Sequence, residues 1–196
     1  MIRLREGLEA LTTLDHTRGG HGSLERAALS GAAKALGLQT RAASQRARQR
    51  LFASLMHARA ATGHAHPGDR QAALRSLGHS GEFLAKADLH APRPSRVAFY
   101  SLGELHALTS IAHDRLGEAA KAEAASHKAL SATPARFRRN RGMETAWLAL
   151  ARLHQHDVEQ ACATVETVLD LMEGDPLPGR MRSLLGDFHR DERTLA

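Results

Sequence analysis

The 196 residues carry 42% hydrophobic but only 4% aromatic side chains, so the core must be built mainly from alanine and leucine, which suits closely packed helices and argues against a β-sandwich. The single cysteine, Cys162, excludes an internal disulfide and fits a reducing cytoplasm, no run nears the ~18 uninterrupted apolar residues of a membrane span, and the opening MIRLREGLEA lacks a signal-peptide apolar region. The net charge of +6 would suit an anionic partner, but Asp and Glu are interleaved along most segments, the pattern of solvated helix faces.

In chain order, Leu4, Leu8, Leu11 and Leu14 mark a short amphipathic helix over 1–17, ended by RGGHG. Ser23 caps a second helix that Gly37 stops. Thr40 opens a long helix to about 62, closed by Gly63. After the turn HAHPGD, Asp69 caps a helix to about 87, with Ser80-Gly81 a weak point inside it. A proline-containing linker covers 88–95, and Ser95 caps a helix over 96–116 that Gly117 ends. The next helix, 118–131, stops at Thr133-Pro134. A basic loop, ARFRRNRG, leads into a helix over 143–155, Asp157 caps one over 158–173 with Gln160 placed for a capping box, and GDPLPG breaks the chain before a last helix over 180–191. That helix carries Met181, Leu184, Leu185 and Phe188 on one face and charge on the other, as an end cap on an open array does.

The helix pairs repeat. Leu-Gly117-Glu-Ala-Ala-Lys-Ala122 aligns with Gln-His156-Asp-Val-Glu-Gln-Ala161, each a turn followed five residues on by a small alanine, and from Ala122 the series continues through Ala129 to Pro134. This resembles a tetratricopeptide repeat. The best units span 103–136 and 142–175, the latter with Leu148, Ala149, Asp157 and Ala161 in place, and a looser one begins near Gln49 with Leu55, Gly63 and Ala73 and extra residues in its turn. The segment LDHTRGG, a long helix, and then AWLALARLHQHDVEQA look like the C-terminal sensor region of actinobacterial helix-turn-helix transcriptional regulators, which resembles a tetratricopeptide array. The thirteen residues before Leu14 are too few for that family's DNA-binding domain, so the expectation is either a fragment or a free-standing relative without the DNA reader. The resemblance implies an all-α, right-handed solenoid of antiparallel helix pairs, with an N-terminal helical segment (1–39), an array (40–175) and a capping helix and tail (176–196).

In such arrays the first helix of each pair lines a concave groove. Carried over, the groove positions are Arg50, Ala53 and His57, then Glu104, Ala107, Ile111 and Asp114, then Met143, Ala146 and Leu150 with Trp147 beside them. The positions of the family's carboxylate clamp fall on Ala53, Ala107 and Ala146, so that clamp is not implied. Trp147 reads more readily as core than as a groove platform, and Glu104 and Asp114 read equally as solvated. Arg136, Arg138, Arg139 and Arg141 around Phe137 are the strongest candidates for an anion contact, against solvated arginines in a loop; Arg41, Arg46, Arg48 and Arg50 form a second run.

Thirteen histidines raise a metal, with His64/His66 and His154/His156 as i, i+2 pairs, yet no HExxH or zinc-finger spacing supports one. No GxSxG and no GxxxxGK motif is present. The expectation is therefore a cytoplasmic, non-enzymatic binding module with no metal or cofactor, the ligand- or protein-sensing part of a transcriptional regulatory system. Its partner would be a peptide, small molecule or protein in the groove, with homodimerisation and without direct DNA or membrane binding by this chain. The alternatives are a free-standing adaptor or antagonist that dimerises with a regulator and, less favoured, a metal-dependent enzyme.

Overall fold

The structure, a computed structural model, describes residues 45–46, 49–89, 99–173 and 175–195. The chain divides into two compact units, Met1–Arg46 and Ala47–Ala196. The described residues lie almost entirely in the second, so the helices expected over 1–17 and 23–36 and most of the 88–95 linker fall outside them.

Among the described residues there are seven helices and no strand: α1 over 49–65, α2 Arg70–Ala85, α3 Leu102–Arg115, α4 Ala119–Ala132, α5 Arg138–Leu153, α6 Val158–Leu171 and α7 Gly179–Leu195. From α2 to α6 each helix packs on the next. In addition, α3 packs on α5 and α5 on α7, so alternate helices also touch.

Three of the turns are built alike. Gly68, Gly117 and His156 have φ of 81°, 71° and 64°, the left-handed region that ends helices. Their N–H groups donate three residues back, to the carbonyls of Ala65, Asp114 and Leu153 at 3.1, 2.9 and 2.8 Å. The following residues, Asp69, Glu118 and Asp157, donate five residues back, to His64, His113 and Arg152 at 3.0, 2.9 and 3.1 Å. This paired pattern closes one helix, and its second residue is the N-cap of the next. Asp69 and Asp157 cap with their carboxylates, accepting from the backbone N–H of Ala72 and Gln160. Asp157's own N–H is taken by Arg152, so the box expected with Gln160 is half formed. Five residues beyond each left-handed position stand Ala73, Ala122 and Ala161, all wholly buried.

The Gly63 boundary is therefore corrected. Gly63 lies inside α1, and Gly68 is the residue homologous in place to Gly117, which removes the extra turn residues from the first unit. Other boundaries move as well. α3 begins at Leu102, not 96, because Ser101 is extended at φ −143° and accepts from the Glu104 N–H. The loop expected over 135–142 is mostly helix, since α5 starts at Arg138. α2 runs unbroken through Ser80-Gly81. There the Ser54 and Ser80 hydroxyls each donate to the other's backbone carbonyl at 2.8 Å, and the Tyr100 hydroxyl lies 2.9 and 3.2 Å from them. A wholly buried Tyr100 so ties α1 to α2.

The core follows the composition. At α3 and α4 it is made of small side chains: Ala122, Ala125 and Ala129 of α4 are buried, the Ser110 and Ser126 hydroxyls lie 2.7 Å apart between the two helices, and Ala112 of α3 packs with Ala65 and Ala73; side chains this small let backbones close up. The larger cluster joins Leu150 and Leu153 of α5, Val168 of α6, Met172 just beyond it, and Met181, Leu184 and Phe188 of α7. Cys162 is half-buried at the edge of this cluster, not inside it. No helix of the described residues is long and apolar enough to cross a membrane.

Candidate functional site

A groove of about 470 Å³ opens on one side of the helices, within the range of small-ligand sites, roughly 300–1,000 Å³. Every lining residue among those described comes from an odd-numbered helix. α1 gives Arg59 and Thr62, α3 gives Glu104, Ala107, Leu108 and Ile111, α5 gives Arg139, Asn140, Met143, Glu144 and Trp147, and α7 gives Arg180. The spacing explains the selection. Glu104, Ala107, Leu108 and Ile111 recur at i, i+3, i+4 and i+7, one face of α3, and Arg139/Met143 and Glu144/Trp147 repeat the interval on α5.

The groove sorts its chemistry. Leu108, Ile111, Met143 and Trp147 form an apolar wall, and two carboxylates interrupt it. Glu144 is only 4% exposed; its Oε1 accepts from the Thr133 hydroxyl at 2.7 Å, and its Oε2 is buried with no hydrogen-bond partner. Burial pushes the Glu144 carboxyl above the usual range against the pull of that hydrogen bond, and the charge of Glu104 pushes it further. Burial raises Glu104 too, with the Arg59 and Arg180 charges opposing. Arg59, Arg139 and Arg180 are exposed.

Of the residues expected in the groove, the structure brings together Glu104, Ile111, Met143 and Trp147, with Ala107. Trp147 is half-buried, touching the main core with part of its surface and lining the groove as well. The other six, Arg50, Ala53, His57, Asp114, Ala146 and Leu150, do not line it. Arg50 donates to the Lys86 carbonyl at 2.7 Å, capping α2. The His57 ring stacks on Phe83 of α2 at 5.5 Å. Asp114 is not solvated, because its Oδ1 sits 2.7 Å from His154 Nδ1 and its side chain is 8% exposed. Leu150 is buried in the cluster that α7 covers.

The basic segment does not act as one patch. Arg138 donates to the carbonyls of Leu171 and Glu173, and Arg141 to those of Leu130 and Thr133, so these two close the C-terminal ends of α6 and α4. Arg136 lies over the Phe137 ring at 4.7 Å. Only Arg139 of the four reaches the groove. His154, from one of the pairs considered for a metal, is engaged by Asp114 and Asp191. Among the described residues no three His, Cys, Asp or Glu side chains converge as a ligand set.

Glu144 is the lining residue that sequence reasoning missed most clearly. Its signal was a lone carboxylate in the apolar run GMETAWLAL, one step from the expected Met143. Comparison with family models, with curated proteins and with solved structures gives no match to this chain.

Proposed function

We propose that the chain is a tetratricopeptide-like, right-handed solenoid that works by binding, and that the groove along α1, α3, α5 and α7 takes its ligand as the sensing part of a regulatory system. The observation that carries this reading is the origin of the lining: among the described residues all twelve come from alternate helices, and none from α2, α4 or α6. A helix-pair array presents its inner helices to one surface in this way. The three identical turns, each followed by a wholly buried alanine, support the repeat. The lining mixes an apolar wall with a few polar groups, the usual make-up of a site that orients a ligand.

Native mass spectrometry of protein isolated from its own host tests the reading. A discrete added mass is expected on the wild-type chain and not on Ala107→Trp, which fills the groove from a half-buried position. An added mass unchanged by that substitution, or none, sinks it; a bound second protein in place of a small mass would make the chain an adaptor.

A further inference from the structure

We infer that Glu104 and Glu144 hold the guanidinium or ammonium head of a ligand whose own anionic group faces Arg59, Arg139 and Arg180: a basic amino acid, or a basic peptide residue with a free carboxylate. The inference rests on the groove being the binding surface, and it adds the chemistry of what enters.

The argument starts at Glu144. A carboxylate oxygen buried without a donor is costly, and such atoms are rare. Oε2 is such an atom, in a side chain that is 4% exposed and lines the groove. Thr133 answers only the other oxygen. What Oε2 lacks is a hydrogen-bond donor, and the residue that carries it lines the groove. Glu104 is near enough for its charge to act on Glu144. Two carboxylates facing one space favour an organic cation with several N–H donors.

The rest of the lining narrows the class. A bare divalent metal would want about six oxygen ligands, whereas the neighbouring wall is Leu108, Ile111, Met143 and Trp147. That wall suits an alkyl stem, and an indole suits the flank of a cationic head. A simple cation would be repelled by three arginines, none of which makes a side-chain hydrogen bond or ion pair among the described residues. A simple anion would leave Oε2 unanswered. A ligand that carries both signs and an apolar stem answers the carboxylates, the arginines and the wall.

Trp147 is the sole tryptophan and lines the groove, so its fluorescence reads occupancy directly. The probes are N-acetyl-L-arginine and N-acetyl-L-lysine, which separate guanidinium from ammonium. Two controls accompany them: N-acetyl-L-citrulline, of arginine's shape without the charge, and N-acetyl-L-arginine amide, without the carboxylate. Binding of at least one of the two basic probes is expected, weakened about tenfold or more in each control, as the loss of one charged hydrogen bond implies. Glu144→Gln should lose the same factor while keeping its melting temperature, since the amide oxygen still accepts from Thr133; Glu104→Gln, on a half-exposed position, repeats the test if the first variant folds poorly. Equal binding of the citrulline probe, binding unaffected by both Gln variants, or no response to either basic probe overturns the inference. The last result leaves the groove reading to stand or fall separately on the retained mass from the host.

Discussion

The carboxylate of Asp114 near the end of α3 lies 2.7 Å from Nδ1 of His154 at the C-cap of α5, and Asp191 of α7 approaches the other ring nitrogen at 3.5 Å. Three odd-numbered helices are thus joined through one imidazole. The hydrogen bond to Asp114 holds His154 above its usual value of 6.5, burial opposes it, and the charges of Asp114 and Asp191 add to the rise.

The sign of the pH dependence follows. A histidine whose folded value is raised contributes fully below its unfolded value of about 6.5, and the contribution is lost as pH rises through the folded value. Because His154 is a third exposed, water screens the pair and the effect is expected at no more than about 1 kcal/mol. Melting temperatures measured from pH 5.5 upward check it, in wild type and Asp114→Asn. The wild type should lose part of its margin above pH 6.5, and the variant should lose that slope. Parallel curves would mean the pair does not couple to folding.

Gly103 and Gly81 both sit inside helices but predict opposite outcomes. A Cβ on Gly103 would stand 2.5 Å from the Thr133 hydroxyl, which is buried and committed to Glu144. A Cβ on Gly81 meets nothing within 4 Å. Gly103→Ala should cost about 1–3 kcal/mol by overpacking, whereas Gly81→Ala should stabilise by about 0.5–1 kcal/mol through the chain entropy it removes. Urea midpoints of the two variants decide the matter, and a neutral Gly103→Ala would show that Thr133 can move away freely.

The repeated turns give a test of backbone conformation alone. His156 takes the left-handed position that Gly68 and Gly117 fill elsewhere. A side chain there costs roughly 1–2 kcal/mol, offset in part by the greater entropy that glycine loses on folding. His156→Gly should therefore stabilise by about 0.5–1 kcal/mol, and Gly117→Ala should destabilise by about 1 kcal/mol. Differential scanning calorimetry is sufficient, and matching signs for the two substitutions would contradict the shared geometry.

These turns also show what was legible in the sequence. Spacing alone pairs Gly117 with His156, and the two share one backbone geometry, because the turn is fixed locally by a left-handed residue, a cap and a small alanine. Gly63 reads as the third member because GHAHPGD offers two glycines, and the one five residues before Ala73 is Gly68. Helix starts were harder. Ser95 and Ser101 are both competent caps, and Ser101 lies just beyond Tyr100, whose buried tie to Ser54 and Ser80 is a long-range contact. The groove was legible where it depends on the face of one helix, as for Glu104, Ile111, Met143 and Trp147. It was not where another helix decides. Leu150 shares a face with Met143 but is covered by α7, Asp114 is taken by His154, and Arg50 and His57 are turned to α2. The basic segment fails as a patch for the same reason, since Arg138 and Arg141 answer carbonyls that no local pattern reveals.

Glu118 is the one N-cap of the three that does not cap with its side chain. Its carboxylate instead lies 2.7 Å from His113 Nδ1 on α3 and accepts from Arg70 on α2 at 2.9 Å and from Lys121 on α4 at 3.1 Å. Burial opposes its charge, but these three partners outweigh it and bring the carboxyl down to about 2. A lowered value contributes stability above the unfolded value near 4.5 and loses it as pH falls toward 2. Arg70 and Lys121 are half-exposed, so the cluster is expected to contribute on the order of 1 kcal/mol. Glu118→Gln should lower the urea midpoint at pH 7 by that amount and flatten the acid-side decline between pH 4.5 and 2. Added salt should shrink the difference, because the Arg70 and Lys121 contacts are screened. A variant that matches the wild type at pH 7 and declines in parallel with it on acidification would show that the junction of α2, α3 and α4 is held by its buried alanines alone.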